Sequence, residues 1–354
     1  MAKIVTKNFL IYPPTFIFYI VILLFYQTKC KYICLIFLYI HNTIIYMKYY
    51  EFNYNKKFCC IAQNCKHNCC IGWEIKVDKK TMNHYSCLSL TDNAFCLEKF
   101  EGNTFKLDQF SRCPFLENDN LCYVIKKYGE NSLSKTCKTH PRFKNFFSSI
   151  TETGLGIYCE EACRIILSLK HKMKRVLVKD DKRKCSLLPF ERKIFAFRNK
   201  VLKIIQDRSL TTNQKISLLS SLSNIDLNKN SFSKWLEIFS RLERLKTNEF
   251  SFSSIPLASE FANITDEFRR EYEQLLSYFA FRHLSRAIDS IDLSVRLAYI
   301  VLAFKFINHI FSLQNERTFE NLVEACRFFT SEIECNDDNL FKILNQIENL
   351  VSFI

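Results

Sequence analysis

Cysteine is the residue type in this chain whose number and spacing could do chemistry. Seventeen are present; twelve fall between Cys59 and Cys163, with Cys30 and Cys34 before them and Cys185, Cys326 and Cys335 after. A first cluster holds Cys59, Cys60, Cys65, Cys69 and Cys70 on one short segment, where several thiols can turn towards one centre. A second group, Cys113, Cys122, Cys137 and Cys159, is spread more widely. Each of its members stands at a turn or just ahead of a predicted helix, where backbone N–H groups stabilise thiolate sulfur. Metal capture is the chemistry this pattern suits, and the expected ligands are Cys60, Cys65, Cys69, Cys70, Cys113, Cys122, Cys137 and Cys159. Cys87, Cys96, Cys185 and Cys326 stand alone and read as small buried hydrophobes. The same reading covers one member of each adjacent pair, without fixing which of the eight share a centre.

Two familiar metal patterns are absent. No Cys-x-x-Cys pair occurs, and zinc knuckles and ribbons are usually built from two of them. The radical S-adenosylmethionine spacing fails as well, because Gly72 stands where its third cysteine would be. A secreted disulfide framework belongs to small loop-rich proteins, whereas the second half of this chain reads as long helices. The thiols therefore point to an intracellular, cytoplasmic metal protein.

The residues around the cysteines carry a resemblance. Phe58, Cys60, Cys65, Cys69-Cys70, Gly72-Trp73, Ile75 and Val77-Asp78, then Cys113-Pro114-Phe115-Leu116, Leu121-Cys122, Cys137, Pro141-Arg142 and Cys159-x-Glu161-Ala162-x-Arg164, resemble the flagellin lysine-N-methylase (FliB) family. The Cys-Pro-Phe-Leu element is similar to that of a broader group of zinc- or iron-chelating cysteine proteins. Residues 202–219, Tyr272 to His283 and Glu332-Ile333-Glu334 resemble the family's helical part more weakly. Glu160 stands where the pattern has Pro, and Ser331 and Cys335 where it has Arg and His. The resemblance implies a bacterial enzyme that moves a methyl group from S-adenosylmethionine to lysine ε-nitrogens of flagellin or another protein. The expected metal is an iron–sulfur cluster of 4Fe–4S type, with zinc as the alternative. The second reading is a non-enzymatic iron- or zinc-binding module that docks a partner protein. A lysine amine, with a pKa of about 10.4, must be deprotonated before it attacks. The sequence identifies neither that base nor the cofactor-binding residues.

The elements that must position these thiols follow from composition and periodicity. With 48% hydrophobic and 24% charged residues, the 354-residue chain can bury a real core. The expected fold is mainly α: a small cysteine-rich metal-binding module over residues 47–164, a basic linker over 165–188 and a helical domain over 189–354. Residues 1–46 form an apolar extension, read as a misassigned start ahead of Met47 or, failing that, a membrane anchor. Neither apolar run in it reaches the length of a spanning helix. Membrane contact, and a third reading as an anchored redox protein, depend on that segment being translated.

Five glycines in the whole chain leave no glycine-rich phosphate loop. Residues 164–203 hold 14 Lys and Arg against Asp180, Asp181 and Glu191, a net of +11 within a total of +14. Aromatic residues are not interleaved in the core of that stretch, so no specific nucleic-acid partner is expected. The apolar run Leu293–Phe311, interrupted by Arg296 and Lys305, reads as a buried core helix. His283 and His309 read as core-edge residues, and Glu332 and Glu334 as solvated carboxylates.

Overall fold

A computed structural model describes residues 47–95, 97–181, 186–245 and 250–351. The expectations for residues 1–46, Cys96 and Cys185 lie outside the described residues. The protein is mostly α-helical, with one four-stranded sheet that the sequence reading did not foresee.

That sheet is assembled from distant segments. Strand β1 (Lys48–Phe52) pairs in parallel with β5 (Ile150–Leu155) and antiparallel with β6 (Arg175–Asp180), and β4 (Arg142–Phe146) pairs antiparallel with β5; β2 (Phe100–Glu101) and β3 (Thr104–Phe105) form a separate hairpin. The order is β4-β5-β1-β6. Strand β4 shows the period-two burial of a one-sided sheet: Phe143 and Asn145 face inward while Arg142, Lys144 and Phe146 are exposed. Gly154 in β5 has no room for a side chain, since a Cβ there would lie 2.5 Å from the Phe143 ring and 3.0 Å from that of Phe52.

The helices that cover the sheet carry local start and stop signals. Helix α5 (Pro189–Ile205) opens with Pro at its first turn and Glu191 at the third position, and α6 (Thr212–Ser223) opens on a reciprocal Thr211/Gln214 capping box. Asn224 ends α6 in the left-handed conformation, φ 55°. Helices α7 (Phe232–Ser240), α8 (Arg269–His283), α9 (Ser290–Ser312), α10 (Phe319–Glu334) and α11 (Asp337–Glu348) complete the bundle. Helix α9 is its axis, packed by α6, α8, α10 and α11. Its two internal charges are accommodated at the margin, Arg296 on Asp292 one turn earlier at 3.0 Å and Lys305 over the Phe261 ring at 5.7 Å. Among the described residues no helix is long and apolar enough to cross a membrane.

The cysteine-rich stretch divides in two. Its middle, with α1 (Lys79–Leu88), the β2–β3 hairpin, α2 (Tyr123–Tyr128) and α3 (Lys135–Thr139), has a core of its own around Tyr85, Phe95, Phe105 and Phe115. Its flanks, β1, β4, β5 and α4 (Glu160–Leu167), join the core of the helical half, where the Phe52 and Phe281 rings meet at 4.7 Å. The stretch 165–188, read as a linker, instead supplies Ile166, Leu167, Leu169 and Met173 to that core and β6 to the sheet. β-Branched Val176 and Val178 suit an extended strand, and β1 offers the ladder that the lysines around them obscure in sequence.

One buried ion-pair network rivets sheet to bundle. Glu152 in β5 receives Arg198 of α5 at 2.6 Å, Arg175 of β6 at 2.8 Å and the Asn145 amide at 3.2 Å. Burial opposes its ionisation, yet the two guanidiniums outweigh burial and hold its carboxyl below the ordinary range.

Candidate metal centre

All eight nominated thiols, with Cys59, line one cavity of about 1030 Å³ between the cysteine-rich stretch and α10. The two clusters are stitched together by backbone: the Cys113 N–H donates to the Cys70 carbonyl at 2.8 Å, beside an antiparallel bridge between Ile71 and Arg112. Cys122 and Cys159 stand at the N-caps of α2 and α4, both in extended conformation. Cys137 lies inside α3, whose start is fixed by the Ser134 hydroxyl accepting the Cys137 N–H at 3.2 Å. Cys60 takes the Ala62 N–H on its sulfur at 3.4 Å.

Their surroundings raise seven of these thiols above the ordinary cysteine value, Cys69 being the exception. Burial pushes Cys113, Cys159 and Cys65 up to about 12 and Cys137 up to about 11, and each is raised further by other thiols near it. Cys60 and Cys122 are raised for the same first reason. Backbone N–H groups pull the other way, from Phe115 on Cys113, Ile125 and Val124 on Cys122, and Ala162 and Glu161 on Cys159. Cys69 and Cys70 share a hydrogen bond that lowers Cys69 and raises Cys70. Every described cysteine is free of disulfide bonding.

Desolvated, mutually repelling thiols with backbone donors aimed at them are a donor set that a soft cation would ionise together. In its chemistry the set fits an iron–sulfur or zinc centre. Among the described residues, however, no three His, Cys, Asp or Glu side chains stand in a constellation that could hold an ion.

Between the thiols the cavity wall is aromatic and cationic. Tyr158 packs on Trp73 and His140 at ring separations of 6.4 and 5.7 Å, and Arg142 lies over the Phe58 ring at 5.4 Å. Burial holds His140 down to about 4, so its imidazole is neutral near pH 7. Gly156 admits Tyr158, since a Cβ at 156 would lie 2.1 Å from that ring. Lys66, Lys126, Lys138, Arg142 and Arg327 also line the cavity, as do Glu130 and Glu161. Trp73, Arg142 and Glu161 lay inside the family-like strings; nothing in the sequence marks Arg327.

The departures from the family pattern fall at informative places. Glu160, 5% exposed, anchors the first cluster to α4: it accepts the Lys66 N–H at 2.9 Å and the Cys65 thiol at 3.6 Å, and pairs with Arg164 at 3.2 Å. A second tie joins His67 to Glu324 of α10 at 2.8 Å. Ser331 lines the cavity, whereas Cys335 does not.

Behind this wall the carboxylates read as solvated are buried. Glu332 is 3% and Glu334 6% exposed. Glu334 receives Tyr278 at 2.6 Å and His283 Nε2 at 2.9 Å, with Arg282 at 3.5 Å. Burial works against its charge, but these partners hold its carboxyl below the usual range. Burial also pulls His283 down to about 4, so Arg282 carries the balancing charge and a neutral His283 donates its Nε2–H. His283, 0% exposed, is thus interior rather than core-edge, and His309 is buried as well. Cys326 is buried beside Cys163, whereas Cys87 is exposed, contrary to its reading as a buried hydrophobe.

No family model matches the chain, and no solved structure matches it. It is similar to the lysine-N-methylase of Salmonella typhimurium, 30% identical over 122 residues that cover 32% of this chain and 30% of that protein. It is similar to the flagellar biosynthetic protein FliU of Salmonella muenchen, 30% identical over 121 residues, 31% of this chain and 72% of that protein. The lysine-N-methylase of Salmonella choleraesuis gives 30% identity over 121 residues, again 30% of its length. The match thus spans under a third of the two lysine-N-methylases.

Proposed function

From the premise that this chain belongs to the lysine-N-methylase family of FliB and FliU, we propose that it methylates lysine side chains of a protein, flagellin foremost, using S-adenosylmethionine. Thiols from the set Cys60, Cys65, Cys69, Cys70, Cys113, Cys122, Cys137 and Cys159 would hold an iron–sulfur cluster, with zinc as the alternative. The observation that carries this reading is the meeting of both cysteine clusters on one cavity, to whose wall the helical half adds Leu245, Arg327 and Ser331.

The cavity suits the substrate's central difficulty. A lysine ammonium entering a space walled by apolar groups and cationic side chains is desolvated and repelled, and both effects lower its pKa. Its proton can pass to a carboxylate or neutral imidazole at the wall, and Glu130, Glu161 and His140 face the space. The aromatic face of Tyr158 and Trp73 is a surface on which a sulfonium can rest. An iron–sulfur cluster, when bound, would supply a Lewis-acidic iron. Lys66, Lys126, Lys138, Arg142 and Arg327 would offset the charge of the ionised thiolates.

The test is intact mass spectrometry of flagellin after incubation with metal-loaded protein and S-adenosylmethionine. Increments of about 14 daltons on lysines, the mass of CH₂, are expected, at a rate that rises with pH as the amine deprotonates. Unmodified flagellin, together with no calorimetric signal for S-adenosylmethionine, would replace this reading by a metal-binding module that docks a partner.

A further inference from the structure

A second concave surface lies away from the thiols. An open cleft of about 750 Å³ sits where β6 begins, lined by Lys172, Lys174 and Lys203, with Asp207 the one carboxylate on its wall among the described residues. Arg175 and Arg208 also line it, but their guanidiniums are committed, to Glu152 at 2.8 Å and to Glu273 at 3.0 Å. The three lysines have no ion-pair partner among the described residues.

Beside the cleft, β6 is the last strand of the sheet among the described residues and pairs only with β1. Val176, Leu177 and Val178 are successive and 42 to 46% exposed, so both faces of the strand are uncovered. Among the described residues nothing pairs with the outer row of its backbone N–H and C=O groups, and an apolar edge of this kind is a template for an added strand.

We propose that β6 and the lysine cleft form a docking site for an extended acidic segment of the protein substrate, which adds beside β6 as a fifth strand. The proposal rests on the reading that the substrate is a protein. Charge selects the occupant, because the three unpaired lysines complement Asp and Glu and repel a basic segment. Nucleic acid is disfavoured by the rings at the cleft: Tyr50 lies under the Arg175 guanidinium at 4.9 Å and Phe281 is 4% exposed, so neither is open to a stacked base.

Position favours a substrate over an unrelated partner. Arg175 pairs with Phe52, so the cleft lies at the end of the sheet where β1 runs on towards Phe58 and β4 starts at Arg142, both residues of the cavity wall. Strand β6 stands three places from β4, or about 14 Å at the usual interstrand spacing. A segment added outside β6 lies one spacing further, about 19 Å from β4, which about six extended residues cover, so it leaves a nearby lysine in reach of the cavity.

The experiment uses the full chain and a fluorescein-labelled octapeptide of alternating Glu and Val, read by anisotropy. Saturable binding is expected, weakened at least tenfold in K172E/K174E/K203E. Leu177→Lys separates the mechanisms: pure charge attraction would tighten binding, whereas strand addition over an apolar edge predicts weakening. Amide exchange in residues 175–180 should slow when peptide is bound. Five results would overturn the proposal: no saturable peptide binding; affinity unchanged by the three charge reversals; tighter binding in Leu177→Lys with unchanged exchange in β6; complete displacement by inorganic triphosphate without protection of β6; or an oligouridylate bound more tightly than the peptide. None of these readouts needs methyl transfer. Flagellin left unmodified by the wild-type protein would therefore sink the methylase reading alone, and absent peptide binding the docking proposal alone.

Discussion

Replacing Glu160 by Ala should loosen the first cysteine cluster without unfolding the bundle. The carboxylate accepts the Lys66 N–H at 2.9 Å from a largely buried position. A hydrogen bond to a charged acceptor contributes about 1.5–3 kcal/mol. Arg164 keeps Glu161 and Glu320 as partners, and it is 29% exposed, so the lost ion pair adds under about 1 kcal/mol. The sum, about 1.5–4 kcal/mol, is concentrated on the segment around Cys65. At a factor of ten per 1.4 kcal/mol, amides there should exchange roughly 10- to 700-fold faster, while those of α9 keep their rates. Glu161→Ala is the control: its carboxylate, 20% exposed, holds Arg164 at 3.0 Å and no other side chain among the described residues, and its loss should speed exchange by about fivefold or less. Hydrogen–deuterium exchange read by mass spectrometry resolves the two. Equal effects of the two substitutions would refute the assignment of Glu160 as the anchor.

Three further outcomes follow from the same structure. Arg198→Met leaves Glu152 buried with Arg175 alone and should cost about 3–5 kcal/mol by urea denaturation. Because the folded Glu152 carboxyl is held below its unfolded value of about 4.3, its contribution is complete above that pH and is lost as the pH falls through the folded value. Arg198→Met should therefore be less sensitive to acid than the wild type, and an equal acid slope would contradict the network. Gly156→Ala should cost about 1–3 kcal/mol by forcing Tyr158 aside, and Tyr158→Leu in the same chain should recover part of it; strict additivity would show that the two residues do not compete for space. Cys87→Ser, exposed and off the cavity, should leave metal content and stability unchanged, and loss of either would overturn its exclusion from the centre.

What could be read from sequence was what local pattern encodes. The thiols of two clusters were nominated from spacing and resemblance, and the structure gathers them on one cavity, although occupancy by metal is a separate matter. Leu293–Phe311 was legible as a core helix because its apolar run is long and its charges few, and α9 is buried accordingly. The sheet was not legible, because its parallel partners β1 and β5 lie about a hundred residues apart and neither alternates strongly. Strand β6 was hidden by flanking lysines, which speak of solvent while the backbone between them speaks of a ladder. The burial of Glu334 depends on Tyr278, Arg282 and His283, some fifty residues upstream, so no local signal distinguishes it from a surface carboxylate. Glu160 was noticed only as a departure from a pattern; its anchoring role appears once Lys66, 94 residues away, is seen on its carboxylate.

The thiol cavity as the seat of an iron–sulfur centre is tested most directly by assaying iron and acid-labile sulfide in protein purified without oxygen. The wild type should be brown and carry iron and sulfide in comparable amounts, and Cys113→Ser should lose both, since metal bound at such a site also stabilises the fold. Colourless wild-type protein with stoichiometric zinc, or iron and sulfide retained in full by Cys113→Ser, would contradict it.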